Sequence, residues 1–433
     1  MTSFDTDHVQ SLAADVDTAA WLKPAQEAAL AAFADLELPH TKLEAWRKTS
    51  LRPLTTTKVR WPRRDASAPA VAKELGHHLR LIVDGGQVMH HEFVGGDVVD
   101  GVTVRNAADA SADEQAAFGK VVARRGNAMN ALNTSLASEV CFISVDDDVN
   151  VRIVVQHVHE EAGGDGDEGI PLAVHRLVLA VGENANVDLI EEDVDDAHPF
   201  VASRLFEAQL QKGAQLTHSL ECELKDNQDV LREIHVALDE SAQFHSFALP
   251  IGGRIHRTDL NVHLDGHHAE TTSYGAIVAD QKNLVDIHSL IHHHVGLCTS
   301  QQEIRGILAE EGHGVFNGHV IFEKDAQKSD TAQKNPNLLL SRDAIIDTQP
   351  VLEIYADDVT ASHGSTVGQL DADAYFYLRS RGIDEDEAYR MLVRAFVHDV
   401  MHQTRGDDVH DRFAAVVDAR LDAIVARSEE TEG

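Results

Sequence analysis

Histidine is the residue type with the clearest capacity for chemistry in this chain, since 27 of its 433 residues are histidine. His292, His293 and His294 are consecutive, and His288 lies four positions before the first of them. Successive side chains of a β-strand point to opposite faces, so only His292 and His294 of the triplet can share a face with His288. Neutral imidazole is a common metal ligand. This face is therefore a candidate metal site, but no acidic residue stands at a fixed spacing, and the pattern favours a polar, half-exposed strand face without a metal.

A second histidine, His363, stands among small residues, Ser362, Gly364 and Ser365, shortly after the acids Asp357 and Asp358. Small neighbours leave an imidazole accessible, and an accessible imidazole is a suitable ligand for iron. The spacing alone favours a turn histidine without a ligand.

Charge and cysteine usage exclude several other kinds of protein. The 72 acidic and 37 basic residues give a formal net charge of −35, which repels nucleic-acid phosphates and leaves open a salt-loving host. Cys141, Cys222 and Cys298 form neither a disulfide framework nor a complete four-thiolate site. No apolar run reaches the ~18 residues that indicate a membrane span, so we expect a soluble, cytoplasmic protein that binds neither nucleic acid nor membrane.

The familiar catalytic signatures are missing from the sequence. It contains no HExxH or CxxC motif, no glycine-rich phosphate loop ending in GK[ST], and no GxSxG nucleophile motif. ATP hydrolysis, zinc proteolysis and serine hydrolase chemistry therefore have no support in this chain.

A repeat between about Leu172 and Val367 predicts the architecture. Runs of alternating apolar residues recur every 27–29 residues, separated by polar turns, with a small residue at a constant phase. A fixed period without a helical pattern predicts stacked β turns, that is, a parallel β-helix. A propeller is the alternative, but its blades need about 40–50 residues. The small residues are Ala185, Ala214, Ala242, Ala269, Cys298 and Ala326.

Helical and mixed segments flank the repeat, and we divide the chain at residues 1–170, 171–370 and 371–433. The first fifty residues and residues 113–138 show helical spacing of apolar residues, whereas Leu79 to Gly86 predicts a strand and a turn. From Asp384 onwards, helical spacing returns and places Leu392 and Phe396 on one face. We expect these last helices to cap the open end of the β-helix and to offer a surface for a partner protein.

Seven segments carry a resemblance to a known family. Those in the second half of the chain are DIHSLIHHHVGLCTSQQEIRGIL (286–308), GVFNGHVIF (314–322), AQKSDTAQKNPNLLLS (326–341), LEIYADDV (352–359), SHGSTVGQLD (362–371) and FYLRSRGI (376–383), and LPHTKLEAWRKTSL (38–51) lies near the N-terminus. These segments resemble the SufB/SufD family of iron–sulfur cluster assembly scaffolds, and the resemblance spans nearly the whole chain. The length and the N-terminal segment are similar to the SufD branch.

This resemblance implies a mainly β fold, a right-handed parallel β-helix flanked by N- and C-terminal helical regions. It also implies a non-enzymatic scaffold subunit of a SufBCD complex that supports cluster assembly and iron acquisition. In such a complex SufB binds through the β-helix edge, and the SufC ATPase binds through the C-terminal helices. Candidate SufC contacts are Tyr375, Leu392 and Phe396.

The resemblance also gives His363 a role, because it falls on the histidine that family members place at the SufB–SufD interface. Many members have a cysteine two positions earlier, where this chain has Ala361. His363 is then the ligand candidate for the iron of a nascent cluster, and the remaining ligands come from SufB. Asp357 and Asp358 are candidates for orienting the ring. The cluster is expected to be transient and the isolated chain to hold no tightly bound cofactor, while a flavin in the assembled complex stays open.

Three alternatives remain open from the sequence. The chain could be a SufB-like scaffold that works as a homodimer, or a SufD-like chain that dimerises only when isolated. It could also be a β-helix enzyme acting on carbohydrates, although the scarcity of basic residues disfavours acidic sugars as substrates.

Overall fold

The computed structural model describes residues 4–36, 38–56, 58–62, 78–96, 98–159, 169–194 and 198–432, with side chains as far as residue 427. Within these ranges the chain forms a parallel β-helix of about seven turns with helices on both flanks. The predicted mainly β class and its helical flanks are confirmed.

Strands and helices alternate only in the N-terminal part of the described chain. The strands are β1 (Val59–Arg60), β2 (His78–Asp84), β3 (Gln87–Val94), β4 (Val102–Arg105), β5 (Cys141–Val145), β6 (Asn150–Val158), β7 (Ile170–Val181), β8 (Asn186–Asp193), β9 (Val201–Leu210), β10 (Gln215–Leu224), β11 (Asp229–Leu238), β12 (Gln243–Gly252), β13 (Ile255–Leu264), β14 (Glu270–Ala279), β15 (Leu284–His293), β16 (Thr299–Leu308), β17 (His313–Phe322), β18 (Asp330–Leu339), β19 (Ile345–Ile354) and β20 (Thr360–Gly368). The α-helices are α1 (Thr6–Ala14), α2 (Lys23–Leu36), α3 (Arg52–Thr56), α4 (Ala112–Ala117), α5 (Ala128–Leu136), α6 (Ala372–Ser380), α7 (Glu385–Met401) and α8 (Asp407–Glu432). Short 3-10 helices cover Glu44–Trp46 and Val122–Arg125.

Two sheets face each other across the core. The odd sheet contains β5 and every second strand to β19, with β4 at its start, and the even sheet contains β6 and every second strand to β20, with β2 and β3 at its start. Each turn adds one strand to each sheet, and successive strands pair in parallel and in register, as Gln215 does with Gln243. Apolar side chains from both sheets, such as Phe206 and Phe244, fill the space between them. The period-two alternation of the sequence is therefore the pattern of an inner and an outer face.

The small residues of the repeat lie at the corner before each even-numbered strand. Ala326 also lies in the corner before β18 and is fully buried, although residues 327–329 separate it from that strand. The Oγ of Ser329, the last of these, accepts a hydrogen bond at 3.1 Å from the backbone N–H of Cys298, the corner residue of the preceding turn. The corner residues directly before β8, β10, β12, β14 and β16 are fully buried, namely Ala185, Ala214, Ala242, Ala269 and Cys298.

The N-terminal helices pack on the outer face of the odd sheet. Val9 of α1, Phe33 of α2 and Leu132 of α5 share a buried cluster with Leu172 and Val174 of β7. The predicted strand and turn at Leu79 to Gly86 is confirmed by β2 and its hairpin with β3. The parallel sheets begin before residue 171, because β5 and β6 already pair in parallel with β7 and β8.

Residues 113–138 do not form one continuous helix. Gly119 adopts a φ of +73°, a left-handed conformation that ends α4, and a 3-10 helix separates it from α5. A capping box, in which the Asn127 side chain accepts from Asn130 and its neighbour, begins α5. The predicted helical segment therefore contains two helices, α4 and α5, with the glycine between them.

The C-terminal helices lie along the outer face of the even sheet, so the expectation that they cap the open end is wrong. Val397 of α7 and Phe413 of α8 pack against Phe247 of β12 and Val278 of β14. Charges fix the alignment: Arg412 pairs with the carboxylates of Glu192 and Glu221, and Arg420 and Arg427 both reach Asp280. This outer face is largely apolar, and burying it stabilises the fold more than covering a strand edge would.

A balanced group of charges is buried between the sheets. The carboxylate of Glu191 accepts hydrogen bonds from Arg232 at 2.6 Å and from His157 and His218 at 3.0 and 2.9 Å. Burial alone would raise the pKa of Glu191, but Arg232 and the two imidazoles hold it well below its usual range. Arg204 pairs in the same way with Asp193. Two guanidinium groups thus neutralise two carboxylates, which is the condition for burying charge inside a protein.

We predict that truncating Phe413 strongly destabilises the fold, because its ring is buried between α8 and the even sheet. Its side chain is 0% exposed, so Phe413→Ala should lower the free energy of unfolding by about 3–5 kcal/mol. The matched control is Phe376→Ala on α6, where the phenyl ring is 72% exposed and the change should stay within ~0.5 kcal/mol. Urea denaturation followed by circular dichroism measures both, and equal effects would contradict this packing.

Candidate functional site

The solenoid ends at β19 and β20, which are the last strands of the odd and even sheets. We call residues 345–368 the terminal edge. Most side chains of β20 are exposed, whereas those of β16, two turns earlier, are mostly buried or half-buried. Within the described ranges no further strand pairs with either end strand, so a row of backbone N–H and C=O groups is left for a partner. Exposed apolar side chains accompany it: Ile345, Ile354, Tyr355 and Val367.

His363 lies in β20, opposite Gln333 of β18. It shares one side of the strand with Ala361, which packs against the main core, and with Ser365, whose hydroxyl donates to the backbone carbonyl of Asn335 at 3.1 Å. These neighbours show that this side of the strand faces the interior of the solenoid. The imidazole of His363 is nevertheless exposed, because no later turn covers it. It therefore stands at the mouth of the solenoid.

A ladder of buried amides leads from the interior to this histidine. The Nε2 of Gln333 donates to the Oε1 of Gln302 at 2.7 Å, and both side chains are almost fully buried. The Oε1 of Gln333 has no hydrogen-bond partner among the described residues, and it lies one strand from His363. An unsatisfied buried carbonyl is a ready acceptor for an imidazole N–H. Sequence reasoning missed this ladder, although Gln302, Gln333 and His363 follow one another at nearly the repeat length.

Asp357 and Asp358 occupy the corner between β19 and β20. The backbone N–H of Asp358 donates to the Oε1 of Gln327 at 2.9 Å, and both aspartate side chains are exposed. No described hydrogen bond or ion pair joins either carboxylate to His363. Their role in orienting the imidazole stays a prediction.

The three cysteines lie away from the terminal edge and are buried. Burial raises the pKa of the Cys298 thiol to about 11 and raises the pKa of Cys141 and Cys222 as well. A thiol binds a metal as the thiolate, so these side chains are poor ligands at neutral pH. Cys298 fills a corner position otherwise taken by alanine, as its place in the repeat predicts.

The C-terminal helices present two kinds of surface. No side chain of the described helix α6 is buried, and its sequence places Tyr375 beside the exposed rings of Phe376 and Tyr377. On α7, Leu392 and Phe396 are half-buried. The backbone carbonyl of Phe396 accepts a hydrogen bond from Arg305 of β16 at 2.7 Å, and the guanidinium lies 5.2 Å from the centre of its ring.

The three consecutive histidines lie on two opposite faces of the sheet, as the alternation of side chains along a strand predicts. His293 points inward and stacks on Phe322, with ring centres 4.4 Å apart, while His292 and His294 lie together on the outer face. His288 shares that face but pairs with the buried carboxylate of Asp286 at 3.1 Å. Sequence reasoning missed His263, which stands opposite His292 on the preceding strand. The 29-residue offset between these two histidines is the signal that could have identified it.

Known proteins resemble this chain over the parts that build the site. Residues 161–396 match the family described as "SUF system FeS cluster assembly, SufBD core domain". The iron–sulfur cluster assembly protein SufD of Escherichia coli is 33% identical over 296 residues, which cover 67% of this chain and 69% of that protein. The chain belongs to the SufBD family.

Other relatives extend the similarity along the chain. A SufBD family protein of Synechocystis is 25% identical and covers 89% of this chain and 88% of its own length. SufD of Bacillus subtilis is 23% identical, covering 97% of this chain and 98% of that protein. These relatives connect the SufBD fold described here with iron–sulfur cluster assembly. In the part of the chain with described structure, no helix is long and apolar enough to cross a membrane.

Proposed function

We propose that this chain is the SufD-type, non-enzymatic scaffold subunit of a cytoplasmic SufBCD complex and supports cluster assembly and iron acquisition. The observation that carries the proposal is His363, an exposed imidazole at the mouth of the solenoid, on a strand with an unpaired edge. An imidazole binds iron, and an unpaired edge invites a second chain. Iron and sulfide are cargo here, held while the cluster is built.

SufB is the proposed partner at the terminal edge. The unpaired backbone groups of β19 and β20 can pair with strands of another β-helix, which would continue both sheets across the interface. Exposed apolar residues such as Tyr355 and Val367 lie on this edge and would be buried by the partner. The same argument allows the isolated chain to form a homodimer.

The ligands of the nascent cluster would come from both subunits. This chain offers the imidazole of His363, while its own thiols are buried and protonated. Soft thiolates are the usual cluster ligands, so the cysteines or carboxylates that complete the site would belong to SufB. Gln333 and the nearby Asp357 and Asp358 are the candidates for orienting the imidazole.

SufC is the proposed partner of the C-terminal helices, with Tyr375, Leu392 and Phe396 as the contact candidates. The exposed aromatic rings of α6 suit a protein interface, where aromatic residues supply much of the binding energy. β20 ends at Gly368 and α6 begins at Ala372, so movement of α6 acts directly on the strand that carries His363. Nucleotide-driven dimerisation of SufC could thereby open or close the cluster site.

Two other functions stay as alternatives. A SufB-like homodimeric scaffold would use the same terminal edge. A cysteine-rich paralogue encoded nearby would favour the SufD role, because that paralogue would be the SufB partner. A carbohydrate-active β-helix enzyme would need convergent acids in a groove. No observation favours such an enzyme, and the family match favours cluster assembly.

His363→Ala should remove iron from the assembly site without dissociating the complex. Even an outer-sphere partner of a metal ligand costs about 10–100-fold in affinity, so loss of the ligand should lower iron affinity at least ~10-fold. Iron content and absorbance of the anaerobically purified, co-expressed complex measure this. His91→Ala is the matched control, since His91 is exposed on β3 at the opposite end of the same sheet. Normal iron in the His363→Ala complex would make this chain a mechanical scaffold only.

Phe376→Asp should abolish co-purification of SufC and leave SufB bound. Charging an exposed aromatic anchor costs about 2 kcal/mol or more at an interface, or roughly 30-fold in affinity. This position is preferable to Phe396, whose backbone and ring contact Arg305 and whose replacement would also disturb the solenoid. Met89→Asp, at an exposed methionine of β3, is the control. Unchanged SufC binding by the Phe376→Asp chain would exclude α6 as the docking surface.

A further inference from the structure

Three imidazoles converge on the outer face of the odd sheet, far along the chain from His363. His263 of β13 stands opposite His292 of β15, and His294 follows immediately after that strand. One ring nitrogen of each lies within 4.8 Å of the others. The ring centres of His292 and His294 are 3.8 Å apart, and those of His263 and His294 are 5.4 Å apart.

The distances suit a shared ion. The Nδ1 of His263 lies 3.1 Å from the Nε2 of His294. Imidazole nitrogens bound to one zinc ion at about 2.0–2.1 Å lie roughly 2.8–3.4 Å apart, the shorter separations in octahedral and the longer in tetrahedral geometry. These two nitrogens are thus already at the spacing of neighbouring ligands, and a small rotation of His292 would complete a three-imidazole set.

The surroundings of His263 also fit a ligand. The residue is only 3% exposed, and its Nε2 has no hydrogen-bond partner among the described residues. A buried polar atom without a partner is uncommon in proteins, and a bound ion is one of the features that account for it.

Carboxylates surround the cluster on its exposed side. Glu323 accepts a hydrogen bond from the Nε2 of His292 at 2.8 Å, which leaves the Nδ1 of that ring for a metal. Asp265 lies 3.8 Å from His294 and is itself paired with Arg124. The two carboxylates and the guanidinium of Arg124 together carry one negative charge, which favours the binding of a divalent cation. Carboxylate–histidine pairs of this kind orient metal ligands in many sites.

We propose that His263, His292 and His294 form a binding site for a divalent first-row transition-metal ion, separate from the cluster site at His363. Three neutral nitrogen ligands select zinc, iron, nickel or copper over magnesium and calcium, which prefer oxygen. Three protein ligands leave at least one coordination position for water. The proposal is independent of the scaffold role, because His363 lies two turns away on the other sheet.

Zinc titration of the untagged full-length chain tests the site. Calorimetry with zinc chloride should show one tightly bound zinc ion per chain. The His292→Gln/His294→Gln double variant should lack this tightly bound ion. The matched control is His313→Gln, since His313 lies on the neighbouring strand β17 and likewise pairs with one carboxylate, Asp347, at 2.9 Å. The His313→Gln control and His363→Ala should both still bind one zinc ion tightly. Circular dichroism and urea midpoints verify that each variant folds.

Two further measurements separate a metal site from a simple hydrogen-bonded histidine pair. Glu323→Gln should weaken zinc binding by about 10–100-fold, because its carboxylate orients His292. X-ray absorption of the zinc-loaded chain should show imidazole ligands at about 2.0–2.1 Å. The proposal would be overturned if the double variant still bound one zinc ion tightly. It would also be overturned if X-ray absorption showed a bound zinc without imidazole ligands.

Discussion

Parallel, in-register stacking of successive turns is the constraint on which the rest of this structure depends. Each strand satisfies its backbone hydrogen bonds with the strands of the turns before and after it, as Gln215 does between Asn186 and Gln243. The arrangement has no natural end, so the last turn must leave one edge unsatisfied. Helices that lie along the faces of the sheets cannot cover that edge. The proposed partner and cluster site are therefore located where the stacking stops.

Stacking also decides which polar groups can be buried. A side chain that points inward meets the equivalent side chain of the next turn, so a buried polar residue needs a partner in its own column or across the core. In the early turns, Glu191 of β8 is balanced by Arg232 across the core. Towards the end the interior is lined by amides such as Gln302 and Gln333, which bond along the column. His363 lies opposite Gln333, so the accessible imidazole at the mouth continues a polar column.

The sequence predicted what repeats, and it failed where the structure departs from repetition. Period-two alternation correctly separated His293 from its two neighbours, and the 27–29-residue period located the corner residues as far as Ala326. It did not predict residues 327–329, which lengthen the corner before β18, because extra corner residues leave the alternation of the strands unchanged. The C-terminal helices were misplaced because pairs such as Arg412 with Glu221, which align them on the sheet, follow no period. His263 was missed because its partners come from another turn.

The central claim, that His363 binds the iron of the nascent cluster, is tested most directly by magnetic resonance. The complex is assembled from this chain with ¹⁵N-labelled histidine and unlabelled SufB and SufC, loaded with iron and sulfide, and reduced to a paramagnetic cluster. Electron–nuclear double resonance should then detect a ¹⁵N coupling that disappears in His363→Ala. A paramagnetic cluster without any ¹⁵N coupling would contradict the account and assign all of its ligands to the other subunits.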